Sequence, residues 1–353
     1  MNEKIRDFAE VIVHTSTSIK KGDNVLIQIS DEGLDLATEI FKETVRMGAN
    51  PLILTTPSEA TRFFYEVADE ETIKTVPKHS FELIKASDVI ISIRSELNTR
   101  TLSNTDPKKI SQRSKALKEL QEERLRKRWC LTQYPTAGYA QDAEMSLVEY
   151  QDFLFSAILI DWTEQIKMME KLKEIMDKTD EVRIVGLKTD LTISIKGRNA
   201  VVGGPTHNVP GGEVFTAPVD DSAEGEIFFD LPAVVYGKSV DGIKLRFEKG
   251  EIVDYSANRN RELLKSMIET DAGSRRLGEL GIGTNRTIKK FTKNILFDEK
   301  IGDTIHLAIG RAYKECGGVN ESAIHWDMIK TMKPGRIIMD GSVIQENGRF
   351  FWE

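Results

Sequence analysis

Cysteine is nearly absent from this chain, which has 353 residues and only two cysteines. Cys130 and Cys316 lie far apart, so they offer no disulfide framework of the kind found in small secreted domains. Apolar runs of about 18 residues are also absent, which argues against a membrane-spanning helix. The N-terminal segment mixes charged and apolar residues and lacks the apolar centre of a signal peptide. We therefore expect a cytoplasmic protein that does not bind membranes.

An excess of positive charge is absent as well, because 56 acidic residues outnumber 49 basic ones and the formal net charge of the chain is −7. One basic stretch, residues 108–128, lacks the interleaved aromatic residues that single-stranded nucleic acids stack on, and we interpret it as a solvated helix. No G-x-G-x-x-G or Walker pattern follows a predicted strand. The sequence thus predicts neither nucleic-acid binding nor a nucleotide site.

Two patterns of secondary structure divide the chain. In the first part, the strand-like segments "NVLIQI", "NPLILTT", "ASDVIISI" and "RWCLTQYPT" are separated by helical patterns, which predicts an α/β domain with a parallel sheet. The second part has short β-branched segments separated by glycine and proline, which predicts an α+β domain with mainly antiparallel strands. A helical pattern ends near residue 178. We place an N-terminal domain at 1–178 and a C-terminal catalytic domain at 179–353.

The segment "SAIHWDMI" contains a histidine and a carboxylate two positions apart. On a strand, residues i and i+2 face the same side, so His325 and Asp327 would lie together while Trp326 and Met328 face the core. Burial of an ionised carboxylate is unfavourable without a partner. The pair therefore requires either a hydrogen-bonded neighbour or a metal ion.

Other segments of the second part supply further groups of this kind. "HNVPGGEVFTAP" places a glutamate after a Pro-Gly-Gly turn, "RRLGELGIGTN" places one among glycines, and "LFDEKIGDTIHLAIG" contains a glutamate and then a histidine at the start of a strand. On that strand His306, Ala308 and Gly310 share one face, which leaves space beside the imidazole. The complete set of candidates is Glu213, Glu279, Glu299, His306, His325 and Asp327.

These four carboxylates and two imidazoles have two interpretations. They could hold two divalent ions, because a co-catalytic pair about 3.5–4 Å apart needs such a mixture with a bridging carboxylate. Imidazole suits zinc, and carboxylates suit zinc, manganese or cobalt. They could instead be scattered surface acids and hydrogen-bonded core histidines. The residue types alone do not decide between these interpretations.

A family resemblance favours the metal site. The motifs "TDLTISIKGRNAVVGGPTHNVPGGEVFTAPVDDSAEGEI", "RRLGELGIGTN", "FDEKIGDTIHLAIGRAY" and "NESAIHWDMI" resemble those of the aminopeptidase T family of thermophilic metallo-aminopeptidases. In the first part, "TQYPTAGYAQDAEMSLVEYQDFLF" resembles a further block of that family. The similarity covers most of the chain.

The resemblance implies a role for each candidate. Five residues correspond to metal ligands of the family: Glu213, Glu279, His306, His325 and Asp327. Glu299 corresponds to an additional glutamate that is a ligand or the general base, although two residues are inserted between it and His306 relative to longer members. Tyr313 corresponds to the active-site tyrosine. The implied enzyme is a homodimer with two divalent ions (Zn, Co or Mn) per subunit that releases N-terminal residues from short peptides.

Two other functions remain open from the sequence. A mononuclear iron dioxygenase that cleaves dihydroxypyridine-type rings resembles this chain in scaffold and length, and it would keep the His-x-Asp pair without needing Glu213 and Glu279. A non-enzymatic peptide-binding protein would need none of the six ligands. Metal stoichiometry measured together with peptide turnover distinguishes these functions.

Overall fold

The structure is a computed structural model that describes residues 2–235 and 237–352. The chain forms two compact units. The first consists of Met1–Ile160 and Pro205–Gly211, and the second of Asp161–Gly204 and Gly212–Glu353. Among the described residues, no helix has the length and apolarity needed to cross a membrane.

The first unit contains a parallel sheet whose central strands are buried on both sides. Its strands are β1 (Asn24–Ile29), β2 (Asn50–Thr55), β3 (Val89–Arg94) and β4 (Arg128–Gln133). They pair in parallel in the order β2-β1-β3-β4. The near-continuous apolar runs of β1 and β3 fit a strand covered by helices on both faces. The predicted α/β domain with a parallel sheet is confirmed.

Helices connect and cover these strands. The basic stretch forms two helices, and neither buries any of its basic side chains, as expected for solvated segments. The helices of the first unit are α1 (Asn2–Glu10), α2 (Leu34–Arg46), α3 (Ser58–Val67), α4 (Glu70–Lys74), α5 (Lys78–Ala86), α6 (Pro107–Ala116), α7 (Lys118–Leu125), α8 (Ala137–Asp142) and α9 (Leu147–Ile158), with a π-helix at Val11–Ser16.

The second unit contains antiparallel sheets, as predicted. Its helices are α10 (Trp162–Met176), α11 (Arg261–Ile268) and α12 (Ile295–Asp298), with 3-10 turns at Gly273–Arg275 and Lys314–Cys316. One sheet has eight strands in the order β14-β13-β10-β6-β5-β18-β19-β20. These strands are β5 (Glu181–Gly186), β6 (Thr189–Ser194), β10 (Glu224–Phe229), β13 (Ile243–Glu248), β14 (Glu251–Ser256), β18 (Gly335–Met339), β19 (Ser342–Glu346) and β20 (Arg349–Phe350).

A five-stranded sheet of the same unit carries the candidate site. Its order is β17-β16-β15-β9-β7, with every neighbouring pair antiparallel. The strands are β7 (Val201–Gly203), β9 (Glu213–Thr216), β15 (Leu277–Gly283), β16 (Thr304–Gly310) and β17 (His325–Thr331). A two-stranded ribbon, β11 (Ala233–Val235) and β12 (Lys238–Val240), completes the unit. One apolar core contains residues from both large sheets and from α10.

The boundary between the units differs from the predicted one at residue 178. Helix α10 clusters with the second unit because Met169, Leu172 and Met176 on its apolar face are buried in the core of that unit. The chain also returns to the first unit at 205–211, where β8 (Asn208–Val209) adds a fifth parallel strand beside β4. The helix pattern in the sequence carried no information about which apolar core this segment joins.

Candidate metal centre

Strand pairing places the candidate ligands on adjacent strands of the five-stranded sheet. Ala308 of β16 pairs with Glu279 on one side and Asp327 on the other. Gly310 pairs with His325. Paired residues on adjacent strands face the same side, so the small side chain of Ala308 leaves space between Glu279 and Asp327. A Cβ at Gly310 would lie 2.2 Å from the carbonyl oxygen of Ile324, so backbone fills the space at that glycine.

Two glycines make room for two of the candidate ligands. A Cβ atom at Gly281 would lie only 1.9 Å from His306 Nε2, so the imidazole lies directly over this glycine. A Cβ at Gly203 would lie 2.4 Å from Glu213 Cγ. Both distances are below any real contact, which means that Glu213 and His306 reach their positions only because these two residues lack side chains.

Six ligand atoms converge in two groups that share one carboxylate. His306 Nε2 lies 3.2 Å from Glu213 Oε2 and 3.2 Å from Glu279 Oε1. Glu279 Oε2 lies 3.1 Å from His325 Nε2, which is 3.6 Å from Asp327 Oδ1. We call Glu213, Glu279 and His306 the Glu213 triad, and Glu279, His325 and Asp327 the Asp327 triad; the ligand atoms within each triad lie within 4.8 Å of one another. The two oxygens of Glu279 thus face different histidines.

Hydrogen bonding alone does not satisfy this cluster. The single Nε2 of His306 faces two carboxylate oxygens and can donate at most one proton. Glu213 Oε2 and Asp327 Oδ1 are buried and have no hydrogen-bond partner among the described residues. Unpaired buried carboxylate oxygens are unfavourable. A divalent cation would satisfy them, and the donors, carboxylate oxygens and imidazole nitrogens, are those that zinc, cobalt and manganese accept. The residues fit a metal centre.

A backbone contact fixes the orientation of one imidazole. His325 Nδ1 lies 2.7 Å from the carbonyl oxygen of Arg311. A carbonyl only accepts, so Nδ1 carries the proton and donates it. When the imidazole gives up the proton on Nε2, this nitrogen presents its lone pair toward Glu279 and Asp327, the arrangement that metal-ligating histidines use.

The charges of the cluster depend strongly on one another. Burial alone would raise the pKa of Glu279, but hydrogen bonds from His306 and His325 hold it well below the ordinary glutamate value. Burial opposes the charged form of His325, yet Asp327 and Glu279 raise its pKa to about 9. Because imidazole must lose its proton to bind an ion, the binding of an ion at this site would release protons.

Glu299 lies beside the triads but belongs to neither of them. Its carboxylate accepts a hydrogen bond from Lys300, whose Nζ is also 3.4 Å from Glu213 Oε1. Burial and the neighbouring acids Glu213 and Asp327 raise the pKa of Glu299 to about 8, although Lys300 acts in the opposite direction. Glu299 follows α12, where the Asp298 carboxylate accepts from the backbone N–H groups of Thr292 and Asn294 and fixes the turn.

Lys300 is a member of the cluster that the sequence did not reveal. The residue is completely buried. Burial lowers its pKa, but Glu213 and Glu299 outweigh this effect and raise the pKa above the ordinary lysine value. The only local signal is the dipeptide Glu299-Lys300, and such neighbouring opposite charges are usually solvated. A single sequence gives no reason to expect this lysine inside.

Tyr313 borders the Asp327 triad. Its ring centroid lies 4.9 Å from that of His325 and 5.7 Å from that of Phe215. Burial raises the pKa of Tyr313, and the negative charges of Glu279 and Asp327 raise it further. The hydroxyl therefore stays protonated near neutral pH and can donate a hydrogen bond. The residue remains 37% exposed, so a ligand can approach it.

Comparison with known proteins shows which family this chain resembles along its length. The model of the thermophilic metalloprotease (M29) family matches residues 1–350. Aminopeptidase AmpS of Bacillus subtilis is 28% identical, with 96% of both chains covered, and aminopeptidase T of Thermus thermophilus is 24% identical, with 92% of this chain and 91% of that one covered.

Two solved structures share the fold. Wild-type AmpT from Thermus thermophilus superposes with a TM-score of 0.88 at 23% identity and 99% coverage of each chain. A 2,5-dihydroxypyridine dioxygenase from Pseudomonas putida has a TM-score of 0.67 at 14% identity, with 100% of this chain and 98% of that one covered. The scaffold therefore occurs in proteins named for two different reactions.

Proposed function

This chain belongs to the thermophilic metalloprotease family, and on that premise we propose that it is a metal-dependent aminopeptidase that releases N-terminal residues from short peptides. The observation that carries the proposal is the position of Glu279, whose two oxygens face His306 and His325 separately. This arrangement suits a carboxylate that bridges two ions. The relatives named aminopeptidases, matched over nearly their whole length, support the choice of reaction.

We assign one ion to the Glu213 triad and the other to the Asp327 triad, with zinc, cobalt or manganese as the candidate metals. Divalent ions in such a site lower the pKa of a bound water to near neutrality and polarise a carbonyl group. The four carboxylates then have three tasks: ligation, proton transfer and attraction of a positively charged peptide N-terminus. The last task restricts cleavage to the end of a chain.

Two residues outside the triads handle protons and charge in this proposal. Glu299 is held by Lys300 next to Glu213, and it serves as general base or proton shuttle. Burial and the neighbouring acids raise the pKa of Glu299 in the ion-free protein, and bound divalent ions would lower it toward the carboxylate form that a general base requires. Tyr313 donates a hydrogen bond from its hydroxyl to the oxygen on which negative charge develops.

We further propose that the enzyme is cytoplasmic and homodimeric. Cys130 and Cys316 are both buried free thiols, which suits a reducing compartment. The homodimer is supported by the family resemblance alone. Neither nucleic acid nor a membrane is a partner in this proposal.

The iron dioxygenase is the weaker alternative. Its structural relative is 14% identical, and similarity at that level describes the fold rather than the chemistry. A mononuclear site needs neither a carboxylate shared by two histidines nor the full Glu213 triad. The match to the metalloprotease family over residues 1–350 also favours hydrolysis.

The test combines metal analysis with peptide turnover. Protein purified without added metal should regain two ions per subunit with Zn²⁺, Co²⁺ or Mn²⁺ and then cleave short peptides with free N-termini. Chelation should abolish this activity, and Glu279→Ala should lose both ions together. Equal cleavage of N-terminally blocked peptides would contradict an exopeptidase. One bound iron with oxygen uptake would support the dioxygenase instead.

A further inference from the structure

A buried lysine contacts one side of the proposed metal centre. Lys300 is completely buried, its ammonium donates to the Glu299 carboxylate, and the same nitrogen lies 3.4 Å from Glu213 Oε1. A buried ammonium is strongly unfavourable without anionic partners. Because both of its partners belong to the acidic cluster, Lys300 is one of the charges that determine the electrostatics of the site.

The contact makes the two triads unequal. Glu213 directs Oε1 toward Lys300 and Oε2 toward His306, so this carboxylate is shared between a fixed cation and the position of an ion. Glu279 directs both oxygens toward imidazoles. Asp327 faces His325. An imidazole binds an ion only in its neutral form, whereas Lys300 places an ammonium group in contact with two carboxylates of the cluster.

The charge count shows why this inequality matters. With both histidines in the neutral form that binds an ion and all four carboxylates ionised, the carboxylates carry −4 and Lys300 carries +1, a sum of −3 before the charges of the ions are added. A first divalent ion reduces the sum to −1, and a second makes it +1. The second ion therefore enters a cluster that is nearly neutral. Its repulsion by Lys300 is strongest at the Glu213 triad, whose glutamate the lysine contacts directly.

We infer that Lys300 is a positioning residue that acts through Glu213 and serves as a permanent internal cation, so that the Glu213 triad binds its ion more weakly than the Asp327 triad. The inference rests on the proposed two-ion function. In the ion-free protein, Lys300 offsets the repulsion between Glu213 and Glu299. In the loaded protein, it opposes the ion at the Glu213 triad. Lys300 thereby determines how much the affinities of the first and second ion differ.

Calorimetric titration of the chelated protein with Zn²⁺ tests this assignment. The wild type should show two binding steps, and Glu213→Gln should remove or weaken mainly the second. Lys300→Met should tighten the second step by about tenfold or more, because a unit charge a few ångströms from the ion is removed from a site of low dielectric constant. An unchanged or weaker second step in Lys300→Met overturns the inference.

Thermal unfolding provides a readout that does not depend on activity. Lys300→Met should lower the Tm of the ion-free protein more than the Tm of the zinc-saturated protein, since bound ions replace the missing positive charge. Equal losses of Tm in both states would indicate a packing role and would overturn the inference.

Lys330 provides a matched control. It is also completely buried, but its ammonium has no hydrogen-bond partner among the described residues and it follows Ile329 on β17, so it faces the side opposite to His325 and Asp327. Lys330→Met should leave both zinc-binding steps unchanged. If it tightens the second step as much as Lys300→Met does, the effect is not specific to Lys300 and the inference fails.

Lys300→Arg covers the case in which the methionine variant does not fold without ions. The arginine variant keeps the charge and should keep the unequal binding steps, while Lys300→Met expressed with added Zn²⁺ should yield folded protein. Misfolding of both variants under both conditions would show that the packing of the lysine, rather than its charge, is what the fold requires, and would overturn the inference. A wild type that binds no divalent ion would refute the proposed function itself rather than this inference.

Discussion

At the scale of single residues, the site depends as much on missing side chains as on ligands. Gly203 lies against Glu213, and Gly281 lies beneath the imidazole of His306. Both glycines lie within the motifs that contain the ligands, but a glycine has no side chain that could be recognised as a ligand from its chemistry. Their role is to let an acidic and an imidazole side chain lie flat against the neighbouring strand.

Gly281→Ala should therefore damage the centre without touching a ligand. The new Cβ would overlap His306 Nε2, so the imidazole must move and the Glu213 triad should lose its ion. We expect at least one ion per subunit to be lost and kcat/KM to fall about 10²-fold or more, since a misplacement of about 1 Å can have that effect. Metal content by mass spectrometry and peptide kinetics provide the measurement.

Gly204→Ala is the matched control for this substitution. A Cβ at Gly204 would meet nothing closer than 3.8 Å. This variant should keep its metal content and its rate. Full metal content in Gly281→Ala would show that the imidazole can move without loss of the ion.

Tyr313→Phe should separate the stabilisation of charge from the binding of metal. The ring contact with His325 is kept and only the hydroxyl is removed. If the hydroxyl donates to the developing oxyanion, kcat should fall about 10²–10³-fold with little change in KM. The metal content should equal that of the wild type. Loss of metal, or a kcat equal to that of the wild type, would rule out the proposed role.

At the scale of elements, one aspartate holds the segment that leads into β17. Asp271 accepts hydrogen bonds from the backbone N–H of Ser274, the hydroxyl of Ser322 and the backbone N–H of Ala323. The last two contacts lie just before His325 and Asp327. This carboxylate therefore connects the end of the segment after α11 to the strand that carries the His-x-Asp pair.

Asp271→Asn should destabilise the protein in a pH-dependent way. Burial raises the pKa of Asp271, but the hydrogen bonds outweigh burial and hold the pKa below its ordinary value of 3.8. A carboxyl group with a depressed pKa stabilises the fold above the unfolded-state pKa, and this contribution is lost as the pH falls through the folded-state pKa. We expect a loss of about 1–3 kcal/mol at pH 7 from weaker acceptance of hydrogen bonds.

Urea unfolding at pH 7 and at pH 3 provides the measurement. The difference between the wild type and Asp271→Asn should become smaller at pH 3. Asp254→Asn serves as the control because Asp254 is exposed and its carboxylate bonds only its neighbour Tyr255 among the contacts described. A difference that is the same at both pH values would mean that the charge of Asp271 contributes nothing.

At the scale of the whole molecule, all of the candidate ligands belong to the second unit. Glu213 is the second residue after the chain returns from the first unit at Gly211, and the other candidates follow it in the second unit. The first unit contributes a parallel sheet of its own, without a candidate ligand. Binding of ions should accordingly stabilise one unit directly.

Removal of the ions should change hydrogen exchange in the second unit and leave the parallel sheet of the first unit unaffected. A ligand that binds only the native state lowers the population of open forms of the region that holds it. Chelation should increase exchange in peptides that cover β9, β15, β16 and β17. Peptides that cover β1 and β3 should not change. Hydrogen exchange measured by mass spectrometry, with and without chelator, tests this; equal increases in both units would contradict it.

The sequence by itself determined the features that depend on local periodicity and on motifs. The alternation of strand and helix patterns predicted the parallel sheet. Short strand patterns separated by glycine and proline predicted the antiparallel strands. The period of two placed His325 and Asp327 on one face of a strand and Trp326 in the core, as β17 shows. The family resemblance, which the match over residues 1–350 confirms, supplied the reaction class.

Only the tertiary structure decided which groups meet. The central position of Glu279, the burial of Lys300 and the space left by Gly281 depend on the register between strands that are distant in sequence. The assignment of α10 to the second unit depends on which apolar core covers its face. The periodicity of a sequence shows which side of a helix or strand is apolar. It does not show which other helix or strand will pair with that element or pack against it. The physical reason is that local sequence determines which side of a helix or strand each side chain faces and whether that side is apolar. The charge and the free space of a site depend instead on residues that are distant in the sequence and meet only in the folded chain.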